Sequence, residues 1–172
     1  MILILNSGSQ SIKYALFDEN LKEKDRKEIK SFKELKTKEN IKIIGHRIVH
    51  GANEFKKPVL IDKKVIKKLE KISYLAPLHN PYNLRGVKYC TRFKVSQYAV
   101  FDTEFYSNLP EKAKVYALPK KIIKKHKIQR YGFHGISHEY AGKKAAQLLK
   151  KSFNKINLIT CHLGGGSSVT AI

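Results

Sequence analysis

The chain has 172 residues, with 35 Lys+Arg against 14 Asp+Glu for a formal net charge of +21, and 42% of it is hydrophobic. That is the length of one domain or of pieces of two, with enough apolar material for a core, which excludes wholesale disorder, collagen, coiled coil and a disulfide scaffold. No apolar run approaches the roughly 20 residues of a bilayer span, and Met1 to Asn6 is no signal peptide, so a soluble, cytoplasmic protein with no membrane partner is expected.

Residues Ile2 to Leu5 form an apolar run ended by Asn6-Ser7-Gly8-Ser9, and Ser11 to Phe17 resumes with partial alternation, which predicts a strand hairpin. Residues 21 to 40 are dense in Lys and Glu and read as a short solvated connection or an edge element. The β-branched run from Ile41 to Gly51 predicts a strand entering a loop. From Asp62 to Ile72 the apolar Val65, Ile66, Leu69 and Ile72 recur at helical spacing, with lysines on the other side. A Pro-rich loop follows at Leu75 to Pro81, then a helix from Tyr82 to about Arg92, then a buried strand from Gln97 ending in Asp102. Pro110 and Pro119 punctuate a loop-rich stretch before a helix from about Ser137 to Lys151, and Asn157 to Ile172 reads as strand, glycine turn and strand. Cys90 and Cys161 form no CxxC pair; Cys161 lies in an apolar strand pattern where a thiol acts as a small hydrophobe.

The basic charge invites a nucleic-acid reading, because an uncompensated basic surface attracts phosphate backbones without any sequence code. Its distribution argues against one. The lysines recur as pairs along the whole length, as in Lys56-Lys57 and Lys124-Lys125, and arginine, the residue suited to bidentate recognition, occurs only at positions 26, 47, 85, 92 and 130. A solvated helix face with general anion attraction is the better reading.

The ending echoes the beginning. Leu3 to Ser9 followed by an apolar strand resembles Leu158 to Ser168 followed by Val169 to Ile172, the mark of an internal duplication. A second lobe of which only the first hairpin is present cannot bury its sheet, so the sequence is expected to be the front part of a longer two-lobed protein. Each Gly/Ser turn can converge backbone N–H groups and hydroxyls on an anion, and their repetition favours a phosphate clamp, although neither matches the P-loop or the dinucleotide pattern. The pairs His46/His50 and His134/His138 have i, i+4 spacing, but neither carries the HExxH glutamate, which argues against zinc.

Asn6 to Lys13, Gly45-His46-Arg47-Ile48-Val49-His50-Gly51, Leu75 to Pro81, Val100-Phe101-Asp102-Thr103, Tyr131 to His138 and Cys161 to Gly166 occur in the order seen in acetate kinases, which the chain resembles over essentially its whole length. The resemblance implies an α/β fold: a ribonuclease-H-like lobe of the actin-like ATPase type, with a mixed sheet and flanking helices, over residues 1–104. Residues 105–172 would then hold a helical insert and the first hairpin of an incomplete second, duplicated lobe. It further implies reversible transfer of the ATP γ-phosphoryl group to acetate, a carboxyl acceptor, giving acetyl phosphate and ADP, with ATP and magnesium (Mg2+) required.

By the same resemblance Asn6 helps place magnesium, and Ser9, Ser11 and Lys13 belong to the first phosphate turn. Arg47 holds the acetate carboxylate, Val49, Leu78 and Phe133 form the methyl pocket, and His79 lines the same site. Asp102 is the essential acidic residue, His134 the transition-state stabiliser, and His162, Leu163, Gly164, Gly165 and Gly166 the second ATP-phosphate turn. A carboxylate nucleophile is already ionised at pH 7 and needs no general base, so for Asp102 a metal-water or arginine-orienting role comes first.

Several features depart from the family pattern. Gln10 replaces a serine, Gly165 stands where an asparagine would hydrogen-bond the nucleotide phosphates, and the segment before Gly45 is short. The adenosine-binding glycine motif, the second substrate arginine, the distal magnesium-binding glutamate and most of the lobe that forms the family homodimer are missing from these residues, so the 172 residues by themselves are expected to be inactive or nearly so. A propionate- or butyrate-type acyl kinase and a non-catalytic, polyanion-binding basic fragment are the alternatives.

Overall fold

The computed structural model describes residues 1–37 and 39–172, and the chain packs as two compact units, Met1–Asp102 and Thr103–Ile172. In the first unit, β1 (Ile2–Ser7) pairs antiparallel with β2 (Ile12–Phe17), and β2 with β3 (Glu23–Ile29). On its other side β1 pairs parallel with β4 (Ile43–Ile48), which pairs parallel with β6 (Ser96–Phe101); the two-residue β5 (Val59–Leu60) closes that side antiparallel to β6. The sheet order is β3-β2-β1-β4-β6-β5. Residues 21 to 40 thus contain a strand at the sheet edge, where its charged side chains discourage pairing with another chain; Lys38 in that span lies outside the described residues.

Two helices cover one sheet face. In α1 (Lys63–Ile72) the Asp62 carboxylate caps the start by accepting from the Val65 N–H at 2.7 Å, and Leu69 and Ile72 turn into the core. α2 (Asn80–Cys90) starts two residues ahead of the expected helix, with Pro81 in its first turn, where a missing N–H costs nothing. It packs close to β1: a Cβ on Gly86 would lie 2.3 Å from Ser7 Oγ and 3.1 Å from Ser7 Cβ, so a larger residue there must displace the Ser7 side chain or the helix. The core lies between this face and the helices. One cluster gathers Leu3, Leu5, Ile12, Tyr14, Ile44 and Cys90, and a second gathers Ile48, Leu69, Leu84, Val87, Ala99 and Phe101. Burial pushes the Cys90 thiol up to about 12.

The second unit holds α3 (Glu111–Lys114), α4 (Lys120–His126), α5 (Gly135–Leu148) and a two-stranded antiparallel sheet of β7 (Ile159–Leu163) and β8 (Ser167–Ala171). The stretch expected to be loop-rich therefore contains two short helices, each with a proline at its N-cap (Pro110 and Pro119), so that proline starts helices here instead of marking loops. Cys161 differs from expectation: it is exposed on the outward face of β7, because the hairpin packs its other face inward. No helix among the described residues is long and apolar enough to cross a membrane.

Candidate active site

Parallel strands carry their carboxyl ends to one sheet edge, the usual place for ligands in α/β folds. Asn6 lies near that end of β1, Arg47 near that end of β4, and Asp102 directly after β6. The three meet there. Arg47 Nε donates to Asp102 Oδ1 at 3.0 Å and Nη2 to Oδ2 at 2.6 Å, a bidentate fork, while Nη1 donates to Asn6 Oδ1 at 3.1 Å. Asp102 is 1% exposed, and its N–H donates to the Ile48 carbonyl at 3.0 Å. Among the described residues these bonds use three of the five guanidinium N–H groups and leave one on each Nη.

The ends of β1 and β4 are tied to α2 by two buried asparagines. Asn83 Oδ1 accepts from the Val49 N–H at 3.1 Å and its Nδ2 donates to the Ser7 carbonyl at 2.7 Å. Asn80 exchanges two bonds with the His50 backbone, at 3.0 and 2.9 Å. Asn83 escapes sequence reasoning as a site residue; its signal is an amide one helical turn from Asn80, on the face that buries Leu84 and Val87. Val49 is buried, whereas Leu78 is 72% exposed and His79 is exposed just ahead of α2.

In the first Gly/Ser turn the Gly8 N–H donates to the Ser11 carbonyl at 2.9 Å, with Ser9 exposed and Ser11 half-buried. Glu28 on the edge strand engages one hydroxyl and the cation of this turn: it pairs with Lys13 at 3.6 Å, and the Ser11 hydroxyl followed by the Lys13 charge holds its carboxyl below the usual range. A small polar cavity beside the turn is lined by Ser9, Ser11, Lys30, Tyr82 and Arg85.

The second unit gathers three histidines. His134 is the N-cap of α5 in the left-handed region (φ 57), a conformation that costs energy for a residue with a Cβ. Just before it Gly132 (φ +77) faces the Tyr106 ring, where a Cβ would come within 2.4 Å, so that turn accepts only glycine. The His134 ring stacks on His162 with centroids 4.1 Å apart, and its Nδ1 lies 2.9 Å from Ser168 Oγ. His138, 1% exposed, contacts the same Ser168 Oγ through Nε2 at 2.8 Å and Thr160 Oγ1 through Nδ1 at 2.7 Å. His162 Nδ1 meets Ser137 Oγ at 2.9 Å. Burial first, then the neighbouring His162, hold the His138 imidazole below its ordinary value.

The turn between β7 and β8 closes with the Gly164 N–H donating to the Gly166 carbonyl at 3.1 Å. A Cβ on Gly166 would stand 3.3 Å from the His134 ring, and one on Gly165 would meet nothing within 4 Å. Phe133 and Leu163 are 40% and 78% exposed. The structure thus joins Asn6, Arg47 and Asp102 in one cluster and His134, His162 and Gly166 in another.

The model of the acetokinase family matches residues 24–172. The chain belongs to the acetokinase family. It is 39% identical over 216 residues to the acetate kinase of Halothermothrix orenii, covering 99% of this chain and 54% of that one. It is 48% identical over 140 residues to the acetate kinase of Thermotoga maritima, covering 80% of this chain and 35% of the relative. Among solved structures it resembles the acetate kinase of Porphyromonas gingivalis (TM-score 0.85, 33% identity) and a propionate kinase of Francisella tularensis (TM-score 0.85, 34% identity), each match covering 99% of this chain and 54% of the other. The mixed sheet with its flanking helices is accordingly an actin-like ATPase lobe. The chain spans about half the length of the acetokinases it matches over nearly all its residues.

Proposed function

We propose that these residues carry the first half of an acetate kinase, a phosphotransferase that moves the γ-phosphoryl of ATP to the carboxylate of acetate. The observation that supports this most is the Arg47 guanidinium, held by Asp102 and Asn6 with one N–H left on each Nη, the arrangement a planar carboxylate takes up bidentately. A carboxylate oxygen attacks the γ-phosphorus in line, the bond to the β,γ-bridging oxygen breaks, and ADP leaves. No proton has to be removed from the nucleophile, so Asp102 serves by orienting Arg47 and offsetting its charge. In the first unit Val49 and Leu78 are the candidates to take the methyl group, with His79 beside them, and in the second unit the candidate is Phe133.

Charge that spreads over the phosphoryl oxygens needs positive partners. His134 is the candidate in the second unit, and the turn from His162 to Gly166 offers backbone N–H groups to nucleotide phosphates, as Ser9, Ser11 and Lys13 do in the first. Phosphate bound there would replace Glu28 on Ser11 and Lys13. The oxygens of Asn6 and Asp102 are hard acceptors that suit magnesium, directly or through its waters, and the ion would neutralise the β- and γ-phosphates. The two hairpins with Gly/Ser turns support a duplicated lobe beginning in the second unit. Acyl length is a further choice: the equal likeness to a propionate kinase favours a propionate-accepting site as the second reading.

The experiment is hydroxylamine trapping of acetyl phosphate from ATP and acetate, with protein from the native source and with residues 1–172 alone. The native protein is expected to be active and the 172 residues by themselves nearly inactive. Arg47→Lys keeps the charge but loses the fork, and should raise the KM for acetate by about 10-fold or more. An unchanged KM overturns the role of Arg47, and no acyl phosphate from the native protein overturns the reading.

A further inference from the structure

Two of the histidines, His138 and His134, form one chain of polar contacts with the hydroxyls of Thr160 and Ser168, while His162 and Ser137 pair separately beneath the stacked His134 ring, and the direction of the chain can be worked out. Thr160 Oγ1 lies 3.4 Å from the Thr170 carbonyl, a long contact, but one in which the carbonyl can only accept. The single Thr160 proton therefore points to that carbonyl, and Thr160 Oγ1 accepts from His138 Nδ1 at 2.7 Å. A neutral imidazole with its proton on Nδ1 presents Nε2 as an acceptor, so the Ser168 hydroxyl donates to His138 Nε2 at 2.8 Å. With its one proton committed, Ser168 Oγ accepts from His134 Nδ1 at 2.9 Å.

We propose that Ser168 and His138 are positioning residues that fix His134 with its proton on Nδ1, so that Nε2 is the nitrogen that gains and loses the second proton. The consequence for phosphoryl transfer rests on the proposed role of His134; the tautomer does not. A charged His134 must donate from both nitrogens, and this direction of the chain alone supplies an acceptor at Nδ1. The opposite direction would turn the Ser168 proton toward Nδ1 and oppose the imidazolium. His138, buried and held below its ordinary value, stays neutral near pH 7 and keeps its Nε2 lone pair for Ser168. The backbone supports the same geometry: Thr160 faces Thr170 and His162 faces Ser168 across the β7–β8 pair, while left-handed His134 and the first turn of α5 supply the other members.

The test is the imidazole 15N spectrum of residues 1–172, or of the native protein, at a pH where the histidines are neutral. Histidine in free peptides prefers its proton on Nε2, so an Nδ1-protonated His134 is a distinctive signature. His134 is expected to show Nδ1–H, Ser168→Ala to shift it toward Nε2–H, and Ser168→Thr, which keeps the hydroxyl, to restore Nδ1–H. An Nε2–H signature for His134 in the unaltered chain overturns the proposal without any variant, and so does an unchanged tautomer in a folded Ser168→Ala. If the tautomer is as stated but His134→Gln leaves kcat of the native enzyme and its pH profile untouched, the reading of His134 in catalysis fails instead.

Discussion

The β1–β2 and β7–β8 hairpins share a sequence pattern, strand, Gly/Ser turn and strand, yet they turn opposite kinds of side chain inward. In the first, Leu3, Leu5, Ile12, Tyr14 and Leu16 are nearly or fully buried, because strands on both sides and a helix across the face enclose them. In the second the inward positions are Thr160, His162 and Ser168, which meet the polar start of α5, and Thr170, which meets the Tyr106 hydroxyl, and the apolar Ile159, Leu163 and Val169 face out at 74%, 78% and 67% exposure. The local pattern makes a hairpin in both places. What covers it decides whether it stores hydrophobic energy or displays chemistry.

The sharpest break in that comparison is a matched truncation. Leu5→Ala removes a side chain that is 1% exposed and should cost about 2–5 kcal/mol in denaturant unfolding. Acid should act on the first unit next. Burial lowers His46 from 6.5 to about 4, against the opposing hydrogen bond that Gln97 Oε1 accepts from its Nε2, and burial also lowers His50. Because the unfolded chain then binds more protons than the folded one, stability is full above pH 6.5 and falls as pH drops toward about 4, by about 3 kcal/mol from His46. Denaturant titrations across that window measure the loss, and His46→Gln should flatten it. Gly86→Ala displaces the Ser7 side chain or α2 and should cost about 1–3 kcal/mol. Leu163→Ala, the counterpart in the second hairpin, is expected to stay within about 0.5 kcal/mol, and a larger loss would show that its exposed face is covered in solution.

Much of this was legible in advance. An apolar run marks β1, partial alternation marks β2, helical spacing marks α1 and α5, and the residues of the Arg47 cluster lie in recognisable motifs. The pairing itself was not readable, because Arg47 and Asp102 stand 55 positions apart and meet only when β4 and β6 align in parallel register. The two-residue β5 and the four-residue α3 are too short to show a period, and α4 hides its Ile122 and Ile123 among lysines. The Ser168 relay depends on strand register and on a left-handed His134, neither of which a linear pattern encodes. The stretch that holds edge strand β3 reads equally as a solvated connection or an edge element, because the charge that suits a connection also protects an edge.

The two cysteines make the molecule its own gauge. Cys90 lies wholly inside the first unit with its thiol held protonated, and Cys161 stands in the open on β7. Since the thiolate is the reactive form, an alkylating reagent counts one sulfur per folded molecule and two once the first unit opens. The stoichiometry of labelling therefore reports the opening of that unit, with no dye or tag added.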